Sequence, residues 1–126
     1  MTKQFSVTLD DKPGELAKLA GALADKGINI RTGAAAVFGT KGVVNLITSD
    51  DAKTRDVLRT QKFVFSEADV LVAKLEDKPG TLAQLAKNLA AAKVNIKSFA
   101  LLSNAGPKAE IAFTVDDAEK AKGVIK

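Results

Sequence analysis

A stretch of sequence that occurs twice constrains the fold of this chain more than any other feature. Residues 11–20, DKPGELAKLA, recur 66 positions later as residues 77–86, DKPGTLAQLA, and the 20 positions that begin at each Asp share 12 identical residues without a gap. Further along, TxDDA at residues 48–52 recurs at 114–118 with the same offset. The repeated unit is therefore a whole small domain. We predict two domains, residues 1–66 and residues 67–126.

The first repeat has the periodicities of a βαββαβ unit. Residues 4–9 alternate polar and apolar as a half-buried strand does, and the apolar residues between Leu16 and Ala24 recur at helical spacing as one buried stripe. Pro13 predicts the start of this helix and Gly27 its end. The remaining predicted elements are strand 28–38, strand 43–48, a helix 52–60 capped by Asp50 or Asp51, and strand 62–65.

This order of elements predicts an α+β fold made of two ferredoxin-like βαββαβ domains in tandem, each with an antiparallel sheet and both helices on one face. In the second repeat the matching elements are strands 70–75, 95–102 and 109–115, a turn at 104–107 and a helix 117–125. Lys93 stands where the first repeat has Gly27. The last strand is expected near position 129, and the sequence ends at Lys126, so either the second domain lacks this strand or the chain continues beyond Lys126. If the strand is lacking, we expect another chain to cover the open edge.

Composition excludes several classes of function. The chain has neither Cys nor His, which removes disulfides, thiolate metal sites and the commonest general base, so we predict no catalytic residues, no metal and no cofactor. No stretch resembles a signal peptide or a membrane span, and we expect a cytoplasmic protein without a membrane partner. The net charge of +4 is spread among interleaved acids and bases, and Tyr and Trp are missing, which argues against nucleic-acid binding.

The sequence resembles the ACT domain family. The resemblance rests on a strand, Asp-Lys-Pro-Gly, an amphipathic helix and then Ile-Asn-Ile or Val-Asn-Ile, all within a unit of about 60 residues and present twice. ACT domains are small-molecule sensors of amino-acid metabolism, attached to enzymes or standing alone as tandem pairs. The resemblance implies a regulatory, allosteric protein that binds an amino acid or similar small ligand where two ACT domains meet, forms homo-oligomers such as a homodimer, and has a metabolic enzyme as partner.

By position, the resemblance assigns ligand binding to an Asp, a Gly and an Asn in each domain. These are Asp11, Gly14 and Asn29 in the first and Asp77, Gly80 and Asn95 in the second. Serine-binding members have a His on the strand before the turn, where Leu9 and Leu75 stand here, and this difference favours a less polar ligand or none.

The chemistry of these Asp, Gly and Asn residues is compatible with ligand binding but does not require it. A helix N-terminus attracts a carboxylate, a Gly lets a ligand approach the backbone, and Asp and Asn can hold an ammonium group. The same residue types also serve as helix caps and turn formers. Two functions therefore stay open: a non-catalytic amino-acid sensor, and a ligand-free module that dimerises or docks on a metabolic enzyme.

Overall fold

The structure, a computed structural model, describes residues 2–104 and 106–125. The chain divides into two units, Thr2–Ala68 and Asp69–Lys126. We call them the first and the second unit and describe each by itself.

The first unit has the predicted βαββαβ order. Its elements are β1 (Lys3–Asp10), α1 (Glu15–Ala24), β2 (Ile30–Phe38), β3 (Lys41–Thr48), α2 (Asp51–Thr60) and β4 (Val64–Asp69). The four strands form one sheet in the order β2-β3-β1-β4, in which β1 and β2 both pair antiparallel with β3. The edges of this sheet are therefore β2 and β4.

The core of the first unit lies between the sheet and its helices. Alternate residues of β1 are buried, and they meet Leu19 and Leu23 of α1 and Leu58 of α2. The predicted stripe of α1 is only partly correct, because Leu16 is 55% exposed. This side chain lies in the first turn of α1 and borders an open hollow beside β2 and β3.

The second unit repeats the arrangement with three strands. It consists of β5 (Leu71–Glu76), α3 (Thr81–Ala91), β6 (Ile96–Ser103), β7 (Lys108–Val115) and α4 (Ala118–Lys122), with the strand order β5-β7-β6. The strand that would match β4 does not occur among the residues described, so β5, the equivalent of β1, is an edge strand of its sheet. Leu71, Leu85, Leu89 and Phe113 form the centre of the second core.

Several predicted boundaries move. Pro13 belongs to the turn before α1, because Gly14 is the N-cap and adopts a left-handed conformation that no helical residue has. The fourth strand begins at Val64 and continues to Asp69, across position 66 where the sequence placed the domain boundary. The last helix is shorter than predicted, and part of the predicted turn, Ala105, lies outside the described residues.

The numbering difference between matching residues of the two units is 66 as far as β6 and 67 from β7 onward. Leu9 lies opposite Gly42 in the first sheet, and Leu75 lies opposite Ala109 in the second, so β7 matches β3 with one extra residue. The caps of the following helices agree, since Asp50 caps α2 and Asp117 caps α4. The gap-free match of TxDDA is therefore one residue out of register in space.

Candidate functional site

The two Asp-Lys-Pro-Gly segments, which we call the DKPG turns, lead into α1 and α3 in the same conformation. Gly14 has φ 92° and Gly80 has φ 95°, and neither helix has a side chain that caps its N-terminus. In contrast, the carboxylates of Asp50 and Asp117 accept hydrogen bonds from the first turns of α2 and α4, at 2.9 and 3.1 Å. The N-termini of α1 and α3 thus have no side-chain cap, and only α1 has an acidic residue, Glu15, in its first turn.

The first DKPG turn is fixed to the hairpin between β2 and β3. The backbone N–H of Asp11 donates to the carbonyl of Thr40 at 3.2 Å, and Lys41 Nζ lies 2.5 Å from Asp10 Oδ1. The hydrogen bond from Lys41 and its positive charge lower the pKa of the Asp10 carboxyl. Asp10 and Lys41 therefore neutralise one another.

An open hollow of about 300 Å³ lies between the first DKPG turn, the start of α1 and the strands β2 and β3. We call it the β2 hollow. Its walls include Asp11, Lys12, Leu16, Ala35 and Val37. One predicted site residue, Asp11, thus borders a cavity with an apolar wall and a charged rim.

The second DKPG turn is held differently. The hydroxyl of Thr81 donates to the carbonyl oxygens of Glu76 and Lys78, at 2.8 and 3.2 Å, and Lys78 Nζ lies 3.0 Å from Glu76 Oε2. Thr81 takes the place of Glu15 in the first repeat. The two turns therefore share a backbone conformation but differ in charge.

The predicted asparagines lie at the other end of each sheet. Asp10 is opposite Lys41 in β3, whereas Ile30, next to Asn29, is opposite Thr48. Seven strand residues separate these points, which corresponds to about 23 Å at about 3.3 Å per residue. The second unit repeats this separation, because Glu76 lies opposite Lys108 and Ile96 opposite Val115.

Each asparagine is fixed through its backbone. Asn29 N–H donates to Ser49 Oγ at 2.9 Å while Ser49 N–H donates to the carbonyl of Asn29, and Asn95 makes the same pair of bonds with Asp116. Both residues are exposed, and their side chains extend from an anchored backbone. The structure places Asp11 close to Gly14, and Asp77 close to Gly80. A ligand of amino-acid size cannot contact such a pair and the asparagine of the same unit at the same time.

Sequence reasoning missed the apolar surface beside the first turn. Leu16, Val37 and Phe38 are 55%, 53% and 72% exposed. The only signal in the sequence was the run of apolar residues 34–38, which does not alternate as a strand with one solvated face does. A second, larger hollow of about 830 Å³ lies between α1 and α2 and contains none of the predicted site residues.

The chain is similar to proteins of a known family. The model of the family described as the ACT domain pair matches residues 1–126. The chain belongs to the ACT domain pair family. This confirms the family and the fold class that the repeated motif predicted. A search of curated proteins finds no match.

Solved structures share the fold of this ACT domain pair. A protein from Bacteroides thetaiotaomicron superposes with a TM-score of 0.87 at 27% sequence identity, covering 98% of this chain and 85% of its own. The regulatory subunits of aspartate kinase from Thermus thermophilus, in its ligand-free form, and from Thermus flavus give TM-scores of 0.70 and 0.72 at 18% and 19% identity. These two cover 98% of this chain each, and 88% and 87% of their own. At such identities the likeness to the kinase subunits is one of fold.

Within the described part of the ACT domain pair, no group of acidic side chains is arranged to hold a metal ion. None of the helices described is both long and apolar enough to cross a membrane. The buried polar side-chain atoms in residues 2–104 and 106–125 all have hydrogen-bond partners. Polar side chains that could bind a ligand are therefore at the surface of the described residues.

Proposed function

We propose that this chain is a non-catalytic regulatory protein that binds an amino acid between two ACT domains. The observation that carries the proposal is the pair of uncapped helix N-termini, each preceded by a left-handed glycine in the same Asp-Lys-Pro-Gly context. Nothing in the packing near Gly14 or Gly80 explains the glycine, because a Cβ at either position would meet no atom within 4 Å. The required backbone conformation does explain it.

The chemistry of an amino acid fits these turns. Its carboxylate is attracted to the free amides and positive potential of the first helical turn, and its ammonium group is attracted to Asp11 or Asp77. An exposed Asn side chain offers both a donor and an acceptor for the same two groups. We infer that Asp11, Gly14, Asn29, Asp77, Gly80 and Asn95 bind the ligand.

A second ACT domain is needed to complete each site, since the turn and the asparagine of one unit are about 23 Å apart by strand length. The β2 edge suits such a partner, because β2 is an outer strand of the sheet that the described residues form and residues 33–38 are all exposed. If two domains join antiparallel along this edge, the DKPG turn of one lies beside the asparagine of the other. Oligomerisation through ACT domains is therefore part of the proposal.

The bound state is read by an enzyme of amino-acid metabolism in the cytoplasm. Support for a partner of this class comes from the fold shared with regulatory subunits of aspartate kinase. A ligand that joins two ACT domains stabilises one relative arrangement of those domains. An enzyme that binds this arrangement in preference to others will therefore respond to the amino acid.

A thermal-shift screen of the twenty amino acids tests the proposal. A ligand at 100 times its dissociation constant adds about 2.7 kcal/mol of stability, which raises Tm by several degrees for a chain of this size. Asp11→Asn, Asp77→Asn, Asn29→Ala and Asn95→Ala should reduce that shift. The matched control is Asp56→Asn, since Asp56 is exposed on α2 and lines a hollow that contains none of the proposed ligand-binding residues. A flat response of the wild-type protein to all twenty amino acids contradicts the proposal.

One observation favours a ligand-free docking module instead. The hollow between α1 and α2 has a floor of small residues, Ala17, Gly21 and Ala22, and a rim of mixed charge that includes Lys53 and Asp56. A protein partner would use this surface without a small molecule. Gly21→Leu should then abolish association with the partner enzyme and leave the amino-acid screen unchanged.

A further inference from the structure

We propose that the ligand is a small aliphatic amino acid whose side chain enters the β2 hollow of the first ACT domain, and that the second domain, which still contributes Asp77, Gly80 and Asn95 to ligand binding, has no equivalent pocket for that side chain. This inference rests on the proposed function and adds the ligand class and the domain that selects it. It is carried by the lining of the hollow and by the residues at the matching positions of the second repeat.

The wall of the β2 hollow is aliphatic. Leu16 and Val37, both more than half exposed, face the cavity together with Ala35 of β2. Leu9 and Val44 close its base and are 7% and 6% exposed. An aliphatic side chain placed here removes apolar surface of the protein from water as well as its own, whereas a charged or strongly polar side chain finds no buried partner.

Small residues create the space. Ala35 lies opposite Val44, and Gly42 lies opposite Leu9. At the register-equivalent positions of the second unit, Leu101 lies opposite Ile111 and Ala109 lies opposite Leu75. Each change from the first to the second repeat adds side-chain volume at the matching place, although Leu101 itself is 49% exposed. We therefore expect the second domain to leave less open space there.

The rim of the hollow suits a zwitterion. Among the residues described, Asp11, Lys12 and Glu15 take part in none of the ion pairs, while Asp10 and Lys41 are paired with each other. Asp11 and Glu15 attract the ligand's ammonium group, and Lys12 with the N-terminus of α1 attracts its carboxylate. In the second repeat Thr81 replaces Glu15 and Lys78 is paired with Glu76, which leaves fewer free charges.

The size of the hollow fits one amino acid. Its volume of about 300 Å³ is at the lower end of the range for small-molecule pockets, roughly 300 to 1,000 Å³. A hollow of this size accommodates one amino acid. Valine, leucine and isoleucine are therefore the probes that the proposal names.

Titration calorimetry of the whole chain with single amino acids tests the ligand class. We expect valine, leucine or isoleucine to bind at least about tenfold more tightly than serine, aspartate or lysine, a difference of about 1.4 kcal/mol. The acid that matches leucine but lacks the amino group should not bind, because Asp11 and Glu15 would repel it. If a polar or charged amino acid binds most tightly, this inference is wrong although the proposed function stands. If no amino acid binds, the proposed function itself fails.

A pair of reciprocal variants tests the location. Ala35→Leu gives the first domain the side chain of the second and should weaken aliphatic binding by about tenfold or more. Leu101→Ala, at the matching position of the second domain, should leave the dissociation constant unchanged. Should Ala35→Leu unfold the chain, Leu16→Ser replaces it, since Leu16 is exposed, and Leu82→Ser is its control. Wild-type affinity in both first-domain variants, or a loss in the second-domain ones, overturns the assignment.

Discussion

Lys93 has the same left-handed backbone conformation as Gly27, its equivalent in the first repeat. Their φ angles are 61° and 70°. Each N–H donates to a carbonyl of the preceding helix at 2.9 Å, and the next residue, Ile28 or Val94, is buried and donates to the leucine five residues before it. The buried residue and the helix-ending hydrogen bonds hold Lys93 in a conformation that a glycine adopts without strain.

Lys93→Gly should therefore stabilise the second domain. Relief of the left-handed strain exceeds the extra entropy of glycine in the unfolded chain, and we expect a net gain of about 0.5 to 1 kcal/mol. Urea denaturation at equilibrium measures it. Gly27→Lys is the reciprocal control and should destabilise the first domain by a similar amount; an unchanged midpoint for both variants would show that the φ angle carries no strain.

Asp50 and Asp117 should each contribute one helix cap. Their carboxylates accept from the backbone N–H groups of Lys53 and Lys120, so Asp50→Ala and Asp117→Ala should each cost about 1 kcal/mol. Asn retains the acceptor, and Asp50→Asn should cost much less. The measurement is the free energy of unfolding, and equal losses for Ala and Asn would argue against capping.

The pairing of Arg55 with Glu67 should make stability depend on pH. Arg55 donates from Nε and Nη2 to the two carboxylate oxygens at 2.6 and 2.7 Å, joining α2 to β4. These hydrogen bonds, more than the accompanying charge, lower the pKa of the Glu67 carboxyl. Because the folded-state pKa lies below that of the unfolded chain, about 4.3, the stabilisation is present above that pH and is lost as the pH falls through the folded-state value.

Glu67→Gln should consequently flatten the acid limb of the stability curve. Thermal unfolding between pH 3 and pH 7 is the measurement, with Glu119→Gln as control because the Glu119 side chain is 86% exposed. Arg55→Lys should lower stability at neutral pH, since an ammonium group cannot make the paired contact. An acid limb identical in Glu67→Gln and wild type would contradict this account.

The loss of stability on substituting Gly14 should depend on how readily the new residue adopts a positive φ and not on the size of its side chain. Its φ of 92° is strained for any side chain although no atom is close, so Gly14→Val should destabilise the first domain by about 1 to 3 kcal/mol. Gly14→Asn should cost less, because Asn enters the left-handed region more readily. Gly21 is the control, since Gly21→Ala lies within α1 and should be neutral or stabilising. The denaturant midpoints of these three variants, compared with that of the wild-type protein, give the order of their stabilities.

Local sequence was sufficient to predict the type and order of the helices and strands. The strand alternation of β1, the apolar spacing that buries Leu19 and Leu23, and the Asp before α2 predicted their structures, because each depends on residues that are neighbours in the chain. Leu16 was predicted incorrectly, since helical spacing states which residues share a face and not whether the space beside each of them is filled.

The duplication, the βαββαβ order and the glycine that precedes each repeated helix were determined by the sequence itself, because identity at a fixed offset and backbone preference are local properties. Only the tertiary structure decided that Asn29 lies at the far end of the sheet from Asp11, that Asp117 and not Asp116 matches Asp50, and that Ala35 borders an open hollow. All three depend on strand register, which is set by pairing between residues distant in the chain and changes when a hairpin gains one residue.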